Sequence, residues 1–184
     1  MTTTNQKGRL TRRGFLKRSA GALATAGALA DVNAASAAND PKASLVGTWK
    51  LVSAKDTTEK GEVRDAFGQN PTGFLTYTAD GRMMAIIGFD GRKPLSVPDY
   101  ISAPSEERAA AFATFVAYAG RYTFTGDRVI HHVEVAWMQN YVKTDQVRFI
   151  VKLQGNQVTL RTPPFLKGGV PLAYQELVWE RVEP

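Results

Sequence analysis

After residue 43 the sequence is a succession of short alternating apolar and polar runs, separated by Gly, Asn, Asp and Pro. Alternation with a period of two is typical of half-buried strands, and regular turn signals between such runs indicate an all-β chain. Eight strands are predicted: Val46–Ala54, Gly73–Thr78, Arg82–Phe89, Gly120–Thr125, Arg128–Trp137, Gln146–Gln154, Gln157–Thr162 and Leu172–Glu180.

Three pairs of turn-forming residues stand between consecutive runs: Asp80-Gly81, Gly126-Asp127 and Gly155-Asn156. Such pairs tolerate the positive φ of tight hairpin turns, so strands that follow one another in sequence are expected to pair antiparallel. A meander of eight strands exposes two edges unless it closes, and the predicted fold is therefore an all-β, eight-stranded antiparallel up-and-down barrel. A barrel of this size is either filled by side chains or holds one small ligand.

One stretch departs from the strand pattern. Ser105 to Ala119 predicts an amphipathic helix between the third and fourth strands, with Ser105 as N-cap and Gly120 after its end. Acidic residues in the first turn suit the positive end of the helix. One apolar face gathers Phe112, Phe115, Val116 and Ala119. The helix is expected to cover one barrel end, either as a fixed plug or as a mobile lid over a ligand.

The positive charge of the chain is concentrated in its first 38 residues. The whole chain has 23 Lys plus Arg against 17 Asp plus Glu, whereas the segment 1–38 has six basic residues and one acid, Asp31. The remainder is nearly neutral, with 17 basic and 16 acidic residues. A surface that neutralises many phosphates needs a clear excess of Lys and Arg, so nucleic acid is not the expected partner.

The basic segment resembles a bacterial twin-arginine export signal. Thr11-Arg12-Arg13-Gly14-Phe15-Leu16-Lys17 places paired arginines before a large apolar residue and a lysine. An apolar stretch from Ala20 to Ala30 and small residues around Ala35-Ser36-Ala37 follow. The alternatives are an ordinary secretion signal and a basic amphipathic helix.

The resemblance predicts a cleaved signal over residues 1–38 and a mature domain over 39–184. It implies a periplasmic or secreted protein that meets the twin-arginine translocase during export. The apolar stretch is too short and too rich in Ala for a stable membrane anchor.

The chain has no cysteine, which excludes disulfides, thiolate catalysis and cysteine-ligated metals. Its two histidines are neighbours on one predicted strand, where they point to opposite faces and cannot converge on one ion. The sequence also lacks a phosphate-binding loop, a dinucleotide glycine fingerprint and a serine-nucleophile elbow. Neither a metal nor another cofactor is expected.

The predicted strand Arg128–Trp137 contains both histidines. Alternation puts His131 on the apolar face with Val129, and His132 on the other face with Glu134. Which face lines the barrel is left open by the pattern. His131 fits either a hydrogen-bonded core histidine or a ligand contact and proton donor, whereas His132 and Glu134 fit either an acid–base pair or a surface pair. These three are the candidate catalytic residues.

Polar and aromatic residues on neighbouring strands are candidates for ligand binding. Several flank the bend between the fifth and sixth strands, where the fork of Arg148 would recognise a carboxylate or carbonyl. Gln146 and Arg148 equally fit the solvated face of a strand whose apolar face holds Val147 and Phe149. The candidate ligand-binding residues are Tyr77, Arg82, Tyr122, Asn140, Tyr141, Gln146 and Arg148.

Six segments of the mature chain together resemble the bacterial and fungal lipocalin-like domain family: 45–53, 70–78, 80–83, 131–134, 144–148 and 177–181. They include Gly47-Thr48-Trp49 on the first strand and Arg181 after the last. In lipocalins a Gly-x-Trp closes the barrel floor and a basic residue stacks over that Trp. The resemblance implies a calycin-type barrel, and some related barrels are isomerases or cyclases. The helix position and the lack of a disulfide differ from secreted animal lipocalins, so a retinol-carrier role is not carried over.

The predicted function is binding of a small hydrophobic or amphipathic molecule inside an exported barrel. The alternative is a cofactor-independent isomerase, cyclase or lyase, in which a His/Glu/Arg site moves a proton and stabilises negative charge. A third possibility is a structural or interaction protein whose barrel interior is filled by side chains.

Overall fold

The structure is a computed structural model that describes residues 41–182. The export signal predicted over residues 1–38 lies outside the described residues. The described chain contains helix α1, Pro41–Leu45, helix α2, Ser105–Ala113, and a short 3-10 helix, Gln139–Tyr141. Its strands are β1 Gly47–Thr58, β2 Val63–Asp65, β3 Thr72–Tyr77, β4 Arg82–Gly88, β5 Phe115–Phe124, β6 Arg128–Ala136, β7 Asp145–Gln154, β8 Gln157–Arg161, β9 Phe165–Lys167 and β10 Val170–Arg181.

Eight of these strands close into an antiparallel barrel. Their order is β1-β3-β4-β5-β6-β7-β8-β10, and β10 pairs back onto β1. The short strands β2 and β9 pair with the ends of β1 and β10. Helix α2 lies between the third and fourth strands of the barrel. The predicted all-β, eight-stranded up-and-down barrel with one intervening helix is confirmed.

The two ends of the barrel have different connections. At one end, the floor, tight turns join β3 to β4, β5 to β6 and β7 to β8 at the three predicted residue pairs. At the other end, the mouth, longer connections carry α2, the 3-10 helix and β9. The mouth therefore supplies the residues that surround the entrance to the interior. None of the helices within residues 41–182 is long and apolar enough to cross a membrane.

Trp49 closes the floor. Its buried indole N–H donates a hydrogen bond of 2.9 Å to the Leu45 carbonyl of α1. The guanidinium carbon of Arg181 lies 4.1 Å from the centroid of the Trp49 ring, and Nη1 donates 2.7 Å to the Val46 carbonyl. Gly47 has φ +140°, and a Cβ there would overlap the Arg181 guanidinium. The positive φ favours glycine at this position, and a side chain there would also displace the Arg181 guanidinium.

Helix α2 is shorter than the sequence predicts. It spans Ser105–Ala113 and does not reach Ala119, and its N-cap position is Pro104, without a side-chain cap. The next segment, Phe115–Phe124, is β5, paired on both sides with β4 and β6. Its aromatic and β-branched residues favour a strand, and pairing with two neighbours overrides the local helical periodicity.

Gly120 lies inside β5 and does not end a helix. The β5–β6 pairing register shifts between Ala119 and Gly120, which is a β-bulge. A Cβ on Gly120 would overlap the backbone carbonyl of His132 and lie 2.9 Å from the backbone nitrogen of Glu134. Only glycine permits the two backbones to approach this closely.

A second bulge, in β7, decides which side chains of that strand face inward. The β7–β8 register shifts within residues 150–152. Before the shift, Arg148 pairs with Val129 and Gln146 pairs with His131. Because directly opposed residues share a face, Arg148 and Gln146 face the interior with their partners. The structure thus decides between the two faces that the sequence left open for these residues.

Replacing Gly120 with Ala is expected to destabilise the barrel by more than about 2 kcal/mol, because the added methyl overlaps backbone atoms of β6. The matched control is Gly61→Ala in the turn between β1 and β2, where φ is +85° and the space for a Cβ is open. That control is expected to lower the free energy of unfolding by about 1–2 kcal/mol, through backbone strain alone. Urea unfolding measures both variants, and equal midpoints would contradict the steric account of Gly120.

Candidate functional site

A cavity of about 450 Å³ lies in the barrel interior and reaches the mouth. Its volume is in the range of small-molecule sites. Most of its wall is aliphatic or aromatic, and includes Leu75, Ala85, Ile87, Val116, Leu160 and Leu177. Helix α2 adds Phe112 and β9 adds Leu166 at the mouth. Both are exposed, Phe112 by 53% and Leu166 by 71%, so the entrance itself is apolar.

A hydrogen-bonded group that we call the Tyr-His-Tyr chain comprises Tyr77 of β3, Tyr118 of β5 and His131 of β6. The Nε2 atom of buried His131 lies 2.7 Å from the Tyr77 hydroxyl oxygen. Its Nδ1 atom lies 3.0 Å from the Tyr118 hydroxyl oxygen. Tyr118 and His131 line the cavity, and Tyr77 lies behind them. The chain thus connects the buried core to the cavity wall.

Aromatic contacts brace this chain. The Tyr122 ring packs edge-on against Tyr77, with centroids 4.9 Å apart. Its hydroxyl donates 2.9 Å to the Thr78 carbonyl, so Tyr122 is fixed near the floor. The Tyr141 ring packs against both Tyr118 and Trp137. These neighbours restrict the rings that hold the chain in place.

Burial keeps the chain uncharged. Loss of hydration lowers the pKa of His131 well below its usual 6.5, and the Arg148 and His132 charges lower it further. Burial also raises the pKa of Tyr77 well above its usual 10.0, with a further increase from Tyr118. At neutral pH His131 is therefore a neutral imidazole and Tyr77 a neutral phenol.

Two cationic side chains line the cavity, and they differ in their partners. Lys167 donates 2.8 Å to Oδ2 of Asp56 and 2.9 Å to the Ala66 carbonyl, and Gln175 donates 2.8 Å to the other Asp56 oxygen. Asp56 is only 2% exposed, so this cluster compensates its own charge. Arg148 forms no salt bridge with any of residues 41–182. Its charge is thus uncompensated.

The surroundings of Arg148 place it next to the Tyr-His-Tyr chain. Its Nη1 donates 2.8 Å to the Val147 carbonyl, and Nη2 lies 3.5 Å from the Tyr118 hydroxyl. The guanidinium is half-buried on the cavity wall. No Asp or Glu belongs to that wall in the described chain. The arrangement suits an acceptor or an anion brought by a bound molecule.

The other predicted ligand-binding residues are divided between the cavity and its surroundings. Tyr141 lines the cavity. Gln146 lies in a groove beside it and donates 2.9 Å to the Thr144 hydroxyl. Asn140 is exposed in the 3-10 helix. The structure thus brings Tyr141 and Arg148 to one wall and leaves Asn140 at the rim.

His132, Glu134 and Arg82 lie on the outer surface, away from the cavity. The Nδ1 atom of His132 lies 2.7 Å from an Asp145 carboxylate oxygen. Arg82 donates 2.5 Å to the Glu134 carboxylate, which also lies 3.5 Å from Arg121. His132 and Glu134 thus have separate partners and do not form the acid–base pair that was one of the two alternatives left open by the sequence. Of the two histidines, His131 faces the barrel interior and His132 faces outward.

Sequence reasoning did not identify Tyr118, Lys167 or Trp179 as residues of the cavity wall. Tyr118 falls in the segment whose periodicity predicted a helix, and reading that segment as an alternating strand would have found it. Trp179 of β10 is buried on the cavity wall, and its indole N–H has no acceptor among the described residues. No group of three or more His, Asp or Glu side chains able to hold a metal occurs within residues 41–182.

Burial of His131 predicts that the folded protein loses stability as the pH falls from about 6.5 to about 5. This window lies above the pKa range of ordinary carboxylates. In this window the unfolded chain binds a proton that buried His131 does not accept, since its folded pKa is depressed. The free energy of unfolding then falls by up to about 1.4 kcal/mol per pH unit. Urea unfolding at several pH values measures this dependence. In His131→Gln the free energy of unfolding should change less with pH, whereas the control His132→Gln should keep the native pH dependence. An unchanged slope in His131→Gln would count against the account.

Comparison with the curated proteins finds no match. Among solved structures, an uncharacterized protein from Bacteroides eggerthii is similar with 12% identity and a TM-score of 0.38, over 75% of this chain and 99% of that one. A redesigned beta barrel is similar with 12% identity and a TM-score of 0.38, over 78% of this chain and 96% of that one. A mutant of the fluorescent protein UnaG is similar with 16% identity and a TM-score of 0.30, over 74% of this chain and 94% of that one.

The sequence also matches a family model, described as a lipocalin-like domain, over residues 46–182. The match begins just before β1 and ends just after β10, so it covers the whole barrel. Trp49 under Arg181 at the floor agrees with the Gly-x-Trp pattern noted in the sequence. The chain belongs to the lipocalin-like domain family.

Proposed function

We propose that this protein binds one small hydrophobic or amphipathic molecule inside its barrel. The observation that carries the proposal is the cavity of about 450 Å³ with an apolar wall and an opening at the mouth. A barrel filled by its own side chains would leave no such space. Polar groups are concentrated near His131 and Arg148, where they would orient the bound molecule.

The exposed apolar side chains at the mouth support the same proposal. Phe112 and Leu166 line the cavity and also contact solvent. A bound apolar molecule would cover part of this surface and thereby contribute to its own affinity. Helix α2 has no buried residue, so its displacement would break few contacts. This supports the lid reading of α2 over the fixed plug.

A proton-transfer reaction on the bound molecule is the second candidate function. It is favoured by one observation, the neutral His131 on the cavity wall, linked to the Tyr118 hydroxyl and near the Arg148 cation. Such a group suits an isomerase, cyclase or lyase that stabilises a developing oxyanion without a cofactor. His132 and Glu134 would take no part, because they lie on the outer surface.

Export by the twin-arginine pathway is part of the proposal and rests on the sequence alone. Its support is the paired Arg12 and Arg13, followed by Phe15, Leu16 and Lys17. The cleaved product would begin near residue 39 and would reach the periplasm or the medium.

Replacing both Arg12 and Arg13 with Lys is expected to abolish export, because the receptor reads the paired guanidinium groups and charge alone does not suffice. Cell fractionation of the tagged full-length chain in a bacterium with a twin-arginine translocase measures this. The matched control is replacement of Arg9 and Arg18 with Lys, which leaves the pair intact. Export of the Arg12/Arg13 variant at the native level would refute the assignment.

Nile red, a neutral fluorescent probe, is expected to bind the native barrel saturably at one site. Ala85→Trp should weaken this binding strongly, because Ala85 is buried on the cavity wall and an indole there would occupy part of the space. The matched control Met84→Trp lies on the same strand but faces outward, half-exposed, and should bind as before. Unfolding midpoints verify that both variants fold. Failure of the native protein to take up the probe would overturn the binding proposal.

A further inference from the structure

The hydrogen-bond partners of the Tyr-His-Tyr chain determine which nitrogen of His131 carries the proton. Tyr77 is buried, and its hydroxyl has a single partner among the described residues, Nε2 of His131 at 2.7 Å. If Nε2 carried the proton, the Tyr77 O–H would be buried without an acceptor, which is unfavourable. Tyr77 therefore donates to Nε2, and the neutral His131 carries its proton on Nδ1.

This assignment leaves a hydrogen-bond donor without an acceptor at Tyr118. The Nδ1–H of His131 donates to the Tyr118 hydroxyl oxygen at 3.0 Å. The other neighbour of that oxygen is Nη2 of Arg148 at 3.5 Å, which is also a donor. Within the part of the chain that the structure describes, the Tyr118 O–H thus has no acceptor. It is available to a molecule in the cavity, since Tyr118 lines the wall.

The cation on the same wall lacks an anionic partner. The Arg148 guanidinium donates to the Val147 carbonyl but has no carboxylate partner within residues 41–182. The wall therefore combines the O–H of Tyr118, which has no acceptor among the described residues, with one positive charge that no described carboxylate compensates. When water is displaced from the cavity, the O–H needs an acceptor and the cation needs an anion, and one anionic acceptor can serve both.

We propose that the ligand is an amphipathic monocarboxylic acid, whose carboxylate accepts hydrogen bonds from Arg148 and Tyr118 while its apolar body fills the cavity. This inference rests on the proposed binding function and specifies the ligand class. The planar guanidinium fork matches a carboxylate geometrically. The compensated Lys167–Asp56 pair leaves one free positive charge, which suits a monoanion better than a phosphate monoester with a charge of about −1.5 to −2.

Calorimetric titration of the full-length protein with decanoate and with decanol tests the proposal, since the two differ only in the head group. Decanoate is expected to bind at least about tenfold more tightly than decanol. Arg148→Met should bring the ratio of the two affinities close to one, and Arg148→Lys should restore part of the preference. Tyr118→Phe should reduce the ratio by a smaller factor, because the cation remains. Unfolding midpoints show whether each variant is folded.

The matched control is Lys167→Met combined with Asp56→Asn, which removes the other cation of the wall without leaving a buried charge. This variant should keep the preference for decanoate. Loss of the preference in this variant and not in Arg148→Met would place the carboxylate at the mouth and overturn the proposal. Equal affinity of the native protein for decanoate and decanol would also overturn it, whereas failure to bind either ligand or Nile red would overturn the binding function itself.

Nitrogen NMR of histidine-labelled protein provides an independent readout, since ring-nitrogen shifts distinguish the two neutral tautomers. His131 is expected to carry its proton on Nδ1, with His132→Gln used to assign the signals. A proton on Nε2 would give Tyr118 an acceptor within the protein and remove its role in the proposal. Added decanoate should shift the His131 signals in the native protein but much less in Tyr118→Phe.

Discussion

Pairing of β10 with β1 closes the barrel and holds its other strands in place. It joins the last barrel strand to the first, so no edge of the barrel wall is left between them. Trp49 and Arg181 lie opposite each other in this pairing and seal the floor together with α1. Closure encloses an interior in which every polar group needs a hydrogen-bond partner. Water that enters at the mouth can hydrogen-bond only to the groups that reach the cavity.

The polar chemistry of the interior follows from that enclosure. Tyr77 and His131 satisfy each other, and the chain of donors then continues through Tyr118 to the cavity. Arg148 ends this series of hydrogen bonds with a charge that no carboxylate of residues 41–182 compensates, although Lys167 on the same cavity wall is paired with Asp56. The proposed ligand site at the Arg148 end of the cavity rests on this contrast between the two cations.

Much of the fold could be predicted because alternation and tight-turn residues are local signals. The helix boundary could not, since residues 115–119 fit a helical stripe locally and become a strand only through pairing with β4 and β6. The face of Arg148 depends on a bulge in β7, which alternation does not reveal. His131 and Arg148 were identified as candidates from residue type, whereas the Lys167–Asp56 contact joins residues 111 positions apart and has no local signal.

The closing pair of strands also has a kinetic consequence. β1 pairs with β3, which follows it closely in the sequence, and with β10, which is the last strand. The first strand therefore has an unsatisfied edge until the end of the chain is available, and closure requires a contact of very high sequence separation. Folding is expected to be slow, with a late step in which the barrel closes, and a chain truncated before Val170 would lack β10 and present an open edge prone to association.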